Sequence, residues 1–229
     1  MASAAICILG MHRSGTSCLA GTLEEAGVFL GEILRRSRYN AKGNREHPRI
    51  MALHNHIFRA NGGSWDKPPD SADWSPAHEF KRDMIIQDFQ GKSPWGFKDP
   101  RTLYTLDGWL RAVPKLTLVG VVRHPLAVAQ SLQHRNKLPI EKGIQLWTLY
   151  NQRLLAYFQQ FDFPILSFDL EDEALRARLL ALLKTLGLPL PADRLAFFDS
   201  NLRHALATDQ TPLPAAARSL FEQLNKIAR

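Results

Sequence analysis

The stretch Ala4 to Ser17, AAICILGMHRSGTS, limits what this chain can fold into more than any other. Ala4 to Leu9 is apolar throughout and stops at Gly10, the pattern of a parallel strand buried on both faces. Gly10 and Gly15 then bracket Met11, His12, Arg13 and Ser14. From Thr16 the apolar positions Leu19, Leu23 and Ala26 follow at helical spacing. The predicted order is strand, glycine-bounded loop, helix. Such a turn aims several backbone N–H groups and the positive end of a helix dipole at one point, which suits a phosphate-like anion.

The loop is not the one that nucleoside triphosphatases use. Their pattern, GxxxxGK[ST], places a lysine after the second glycine to reach the terminal phosphates and a hydroxyl after it to hold magnesium. Here the glycines have that spacing, but Thr16 follows Gly15. The cation is Arg13, inside the loop. A guanidinium is a planar fork of donors that stays protonated, which fits a fixed grip on an anion rather than proton transfer.

Two further segments complete a pattern. Phe97 to Arg101 reads FKDPR, and Val121 to Leu132 reads VVRHPLAVAQSL. Together with GMHRSGTS they resemble the sulfotransferases, in particular the bacterial branch with an Arg-Ser-Gly-Thr loop, in order from about Ile6 to Ser167-Phe168-Asp169. The resemblance implies that His12, Arg13, Ser14, Gly15, Thr16 and Ser17 hold the 5′-phosphosulfate of 3′-phosphoadenosine 5′-phosphosulfate (PAPS). It also implies that Arg123 and Ser131, which have the family's spacing of eight residues, hold its 3′-phosphate. Phe168 stands where the family commonly has a tyrosine, which keeps a stacking face but alters one adenine contact.

Length and charge bound the alternatives. A chain of 229 residues holds one α/β domain with a full core and is short for two, so residues 1–229 are read as a single domain. The two cysteines, Cys7 and Cys18, lie inside predicted elements and read as small packing residues, giving a reducing, cytoplasmic expectation. The net charge of +7 has no run of the kind that marks a nucleic-acid arm, and LRRSR at Leu34 to Arg38 reads as a solvated loop. A polyanionic donor accounts for part of that excess. The first apolar run is too short for a bilayer and lacks a basic lead-in, so neither a membrane nor a nucleic-acid partner is expected.

Along the chain, Gly27 to Gly31 reads as a short strand or turn, Glu32 to Asn44 as a loop near the cradle, and Glu46 to Ala60 as a helix. Asn61 to Pro76 is the longest irregular stretch, a candidate acceptor lid whose Trp65 and Trp74 either line a pocket or pack the loop down. Pro76 to Gln90 is predicted helical, Trp95 to Phe97 a short strand, Thr102 to Val113 a helix, and Lys115 to Val122 a strand delivering Arg123 to its carboxyl end. Helices from Pro125, over Ile140 to Phe161 and over Leu170 to Leu186, surround a strand at Pro164 to Phe168. Pro191 to Arg229 is predicted helical, with Leu202-Arg203-His204 a surface cluster. Strands alternating with helices predict an α/β, P-loop-type three-layer fold with a central, mostly parallel sheet flanked by helices.

Sulfuryl transfer, like phosphoryl transfer, needs positioning and charge stabilisation. Arg13 is expected to hold the leaving oxygens, with Thr16 and Ser17 adding hydroxyls unless they only cap the helix. Lys98 is expected to stabilise the transferring oxygens. Arg101 either does the same or pairs with Asp99. The acceptor must lose a proton to a base, and the candidates are Glu46, His47, His12 and His54. The family's bacterial branch has Gly-x-x-Glu here, which Gly43-Asn44-Arg45-Glu46 matches, so Glu46 is favoured over a mere charge at a helix start. His124 reads as shaping the strand-to-helix turn, and no metal site is indicated. The expected activity is transfer of a sulfuryl group from PAPS to a hydroxyl or amine, with a small-molecule or glycan acceptor. A P-loop kinase using ATP, or a nucleotide-binding protein without turnover, are the rivals.

Overall fold

The computed structural model describes residues 4–36, 40, 42–188, 190–199 and 212–228. Four strands, β1 (Ala5–Leu9), β2 (Trp95–Lys98), β3 (Leu116–Val122) and β4 (Ile165–Ser167), form one sheet in the order β2-β1-β3-β4. Every pairing is parallel, with Cys7 opposite both Phe97 and Leu118, and Val122 opposite Ser167.

The sheet is buried on both faces, and strand alternation sorts its residues between them. Ala5, Cys7 and Leu9 join one apolar cluster with Leu118, Val122 and Ile165. That cluster is covered by α2 (Pro48–Ala60), α3 (Pro76–Gln87), α4 (Thr102–Ala112), α5 (Pro125–Asn136), α6 (Ile140–Phe161) and α8 (Ala215–Ile227). Ile6, Ile8, Val119, Val121 and Leu166 face the other cluster, formed with α1 (Thr16–Glu25) and α7 (Asp172–Thr185). The result is the expected three-layer α/β arrangement. Burying one such Leu or Ile side chain contributes about 1.5–3 kcal/mol, so the two clusters supply most of the drive to fold.

Several boundaries differ from the sequence reading. The predicted helix over Glu46 to Ala60 begins at Pro48 with His47 as its N-cap, because Pro favours the first helical turn. Glu46 therefore lies just before the N-cap rather than in the first helical turn. Gly27 to Gly31 forms a single parallel bridge, Phe29 to Trp95, beside the edge strand. Asn61 to Pro76 is tied to the body rather than loose: Asn61 exchanges two hydrogen bonds with Asp73, and Trp74 packs so closely on α4 that a Cβ at Gly108 would lie 2.1 Å from its ring. Of the predicted C-terminal helix, the described residues show a short turn at Ala192–Arg194 and then α8. Leu202, Arg203 and His204 lie outside the described residues. No helix among the described residues is long and apolar enough to cross a membrane.

Candidate active site

The carboxyl ends of β1, β2, β3 and β4 open onto one cavity of about 950 Å³, large enough for a nucleotide-sized ligand. Its floor is the glycine-bounded loop. Gly15 is the N-cap of α1 with φ 94°, a left-handed conformation that favours glycine, and a Cβ there would lie 2.4 Å from the Phe168 ring. At Gly10 a Cβ would stand 2.7 Å from the Val121 carbonyl oxygen. The two glycines thus let the turn pack directly on β3 and on the residue after β4.

Thr16 and Ser17 do not cap the helix, since Gly15 occupies that place without a side-chain hydrogen bond. Ser17 instead donates from Oγ to the Asn44 carbonyl (3.0 Å) and accepts from Lys98 Nζ (3.3 Å). Thr16 and Ser14 are buried within the turn, and Ser14 Oγ has no hydrogen-bond partner among the described residues. Arg13 takes a positive φ of 68° and donates from Nε to Ser131 Oγ at 2.7 Å. That bond joins the loop to α5 across 118 residues of sequence.

Arg123 follows β3 directly. Its guanidinium stands 5.7 Å from the centre of the Phe168 ring, and its Nη1 donates to the Arg13 carbonyl at 3.4 Å. The turn that presents it is fixed from both sides, because Trp147 Nε1 on α6 donates to the Arg123 carbonyl and the His124 backbone N–H donates to Asp169 Oδ2. His124 caps α5 by accepting from the Leu126 N–H at Nδ1, so it shapes this turn, as expected. Burial, with Arg135 and Arg123 nearby, brings the Arg13 pKa down to about 10. Repulsion among these guanidiniums is relieved when an anion enters.

Of the four base candidates, the fold brings two to the cavity wall, Glu46 and His12. Glu46 Oε1 accepts from Lys98 Nζ at 2.8 Å. His12 is held in the loop with its ring edge toward Trp65 and Tyr150, at centroid distances of 5.1 and 5.9 Å. Burial, then the charges of Arg101 and Arg135, push its pKa well below the usual histidine range. His47 packs on Phe89 and His54 lies wholly inside the protein, where its Nε2 accepts from Trp109. Neither lines the cavity, so both leave the list of bases.

Arg101 is committed to Asp99, to which it donates from Nε (2.8 Å) and Nη2 (2.7 Å), and it also donates to Asn55 Oδ1. Burial opposes ionisation of Asp99, but Arg101 and then His54 outweigh it and hold the carboxyl well below its usual range. The pairing alternative thus describes Arg101, although one face still reaches the cavity. Cys18, expected to be internal packing, is half-buried on the cavity wall. Trp65 lines the cavity and Trp74 does not. Arg135 was missed by the sequence reading, although it lies four residues after Ser131 and therefore on the same helical face.

No protein-family model and no curated protein matches the chain. Solved structures do. The sulfotransferase domain of the Synechococcus PCC 7002 olefin synthase superposes with a TM-score of 0.63 at 17% identity, covering 97% of this chain and 95% of that one. The chain has a sulfotransferase fold. A sulfotransferase from Alicyclobacillus acidocaldarius gives a TM-score of 0.52 at 16% identity, covering 99% and 93%, and one from Mycobacterium tuberculosis gives 0.51 at 14%, covering 98% and 77%. In this sulfotransferase-fold chain Arg13, Arg123 and Ser131 stand together on the cavity wall beside the glycine-bounded turn.

Proposed function

We propose that this chain transfers a sulfuryl group from PAPS to a hydroxyl or amine acceptor. The observation that supports the reading is the Arg13–Ser131 contact, which joins the glycine-bounded loop to α5, with Arg123, Glu46 and Lys98 lining the same cavity.

Bound PAPS supplies an activated sulfuryl group on a phosphate leaving group. The turn at His12 to Ser17 binds the 5′ end through its backbone N–H groups and the α1 dipole, while Arg13 balances charge on the leaving oxygens. Arg123 and Ser131 bind the 3′-phosphate, a group that ATP lacks. Glu46 Oε1 accepts the proton of the acceptor hydroxyl or amine. Lys98 orients that carboxylate and offers its ammonium to the transferring oxygens, with Ser17 Oγ fixing its position. Trp65 and Phe168 add apolar surface to the cavity wall, which favours a site poorer in water.

Calorimetric titration separates this reading from a kinase. Tighter binding of 3′-phosphoadenosine 5′-phosphate (PAP) than of ATP with magnesium is expected. Preference for ATP would overturn the proposal.

A further inference from the structure

Arg101 is buried just past the carboxyl end of β2 and, like Lys98 on that strand end, lines the cavity. Its guanidinium is held on two sides. Nε and Nη2 donate to the two oxygens of Asp99 at 2.8 and 2.7 Å, and Nη1 donates to Asn55 Oδ1 on α2 at 2.6 Å. Asp99 is anchored in turn. It accepts the Arg101 backbone N–H at 2.8 Å, and His54, whose Nε2 accepts from Trp109 and whose Nδ1 therefore carries the proton, faces it from 3.6 Å. A guanidinium has five N–H groups, and these side-chain contacts use three. The second N–H of Nη1 and the second of Nη2 have no acceptor among the described residues. Two unpaired donors on a buried cation are costly unless something in the cavity accepts from them.

We propose that Arg101 is a catalytic residue whose two remaining N–H groups donate to the oxygens of the sulfuryl group in transit, with Asp99 and Asn55 as the positioning residues that aim them. This rests on the sulfotransferase reading and deepens it. The strand end that carries Arg101 is where the two sides of the transfer meet, because Lys98 Nζ touches both Ser17 Oγ of the donor loop and Glu46 Oε1. The Arg101 charge is felt on both sides. After burial, it does most to lower the His12 pKa in the loop, and Glu46 joins Asp99 in raising the Arg101 pKa against burial. In the step itself the acceptor oxygen bonds to sulfur, and the bond from sulfur to the 5′-phosphate oxygen breaks with its electron pair going to PAP. The acceptor proton passes to Glu46. Arg101 gives up no proton and only donates hydrogen bonds as charge spreads over the sulfuryl oxygens. Donors already fixed by a carboxylate and an amide need no reorganisation at that moment.

The test uses the full chain with PAPS, PAP and water as the acceptor: affinities by calorimetry, and single-turnover release of sulfate from PAPS with protein in excess. Arg101→Gln should bind PAP within about twofold of wild type but PAPS about tenfold or more weakly, the worth of a charge-assisted hydrogen bond. Sulfate release should slow by about 10²–10³-fold, as for loss of an oxyanion donor. Arg101→Lys keeps the charge without the fork and should recover little of that rate. Arg101→Gln strands the buried Asp99 carboxylate, so the Asp99→Asn/Arg101→Gln pair, with the same expected pattern, replaces it if the single variant does not fold. Asn55→Ala leaves the Asp99 pair intact and should slow sulfate release with PAP affinity unchanged, whereas Asn55→Asp keeps an acceptor for Nη1 and should retain most of the rate. If the wild-type chain releases no sulfate, the comparison of PAPS with PAP affinity decides alone. Equal losses for PAPS and PAP, or no loss for either, would overturn the proposal and leave Arg101 a staple of the turn between β2 and α4. Failure of the wild-type chain to bind PAP would remove the sulfotransferase reading and this proposal with it, whereas PAP binding without a PAPS-specific loss removes this proposal alone.

Discussion

Glu46 and Lys98, 52 residues apart in sequence, meet as an ion pair of 2.8 Å with side chains 9% and 2% exposed. The carboxylate comes from the segment before α2 and the ammonium from the end of β2, so only the folded chain places the two side by side. Glu46→Gln keeps an oxygen for Lys98 to donate to, and PAP binding should be intact. Turnover should drop about 10²–10⁴-fold, the usual worth of a general base. Unchanged turnover would shift the role to His12, the other base candidate on the cavity wall.

Removing the ammonium has a different signature. Lys98→Met leaves Glu46 desolvated without its partner, and urea unfolding should show a loss of about 2 kcal/mol or more. The double variant with Glu46→Gln should lose less than the two single losses added together, because the uncompensated carboxylate is gone. Strict additivity would mean the pair is not coupled.

At the second clamp, Arg123→Ala should weaken PAP by about 10–100-fold, as expected for a charge-assisted contact. Adenosine 5′-phosphosulfate, which lacks the 3′-phosphate, should lose much less. Calorimetry with both ligands decides the point, and equal losses would take the 3′-phosphate away from Arg123.

Gly15→Ala combines a positive φ with a Cβ driven into the Phe168 ring. The strain should cost about 1–3 kcal/mol in thermal or urea unfolding, and PAP binding should weaken because the turn must open. Phe168→Ala relieves the contact but empties a buried site of its own, so the double variant should lose less than the two single losses added together.

Stability should fall as pH drops from 7 toward 5. Burial outweighs the opposing pull of Asp99 and holds His54 below its usual range, and burial, then Arg101 and Arg135, do the same for His12. Each takes up a proton more readily when unfolded, so its contribution is full above about pH 6.5 and is lost below it, at up to about 1.4 kcal/mol per pH unit. Asp99, held low, adds to the loss only in stronger acid, below about pH 4. Thermal melts across this range test the sign, and a midpoint that rises on acidification would contradict it.

The strand, turn and helix at Ala4 to Ala26, the carboxyl-end position of Arg123 and the parallel sheet were readable from sequence because each depends on local pattern: a continuous apolar run, paired glycines, Pro at a helix start. Interactions between distant segments were not readable in that way. That Glu46 rests on Lys98 and lies outside the predicted helix, that Arg101 is taken by Asp99 and Asn55, that His47 and His54 do not line the cavity, and that Arg135 reaches Trp65 all depend on how segments far apart in sequence pack. Periodicity records which face of an element is apolar, but the partner across the cavity is chosen by the packing of two layers of helices on a sheet, and that choice exists only in three dimensions.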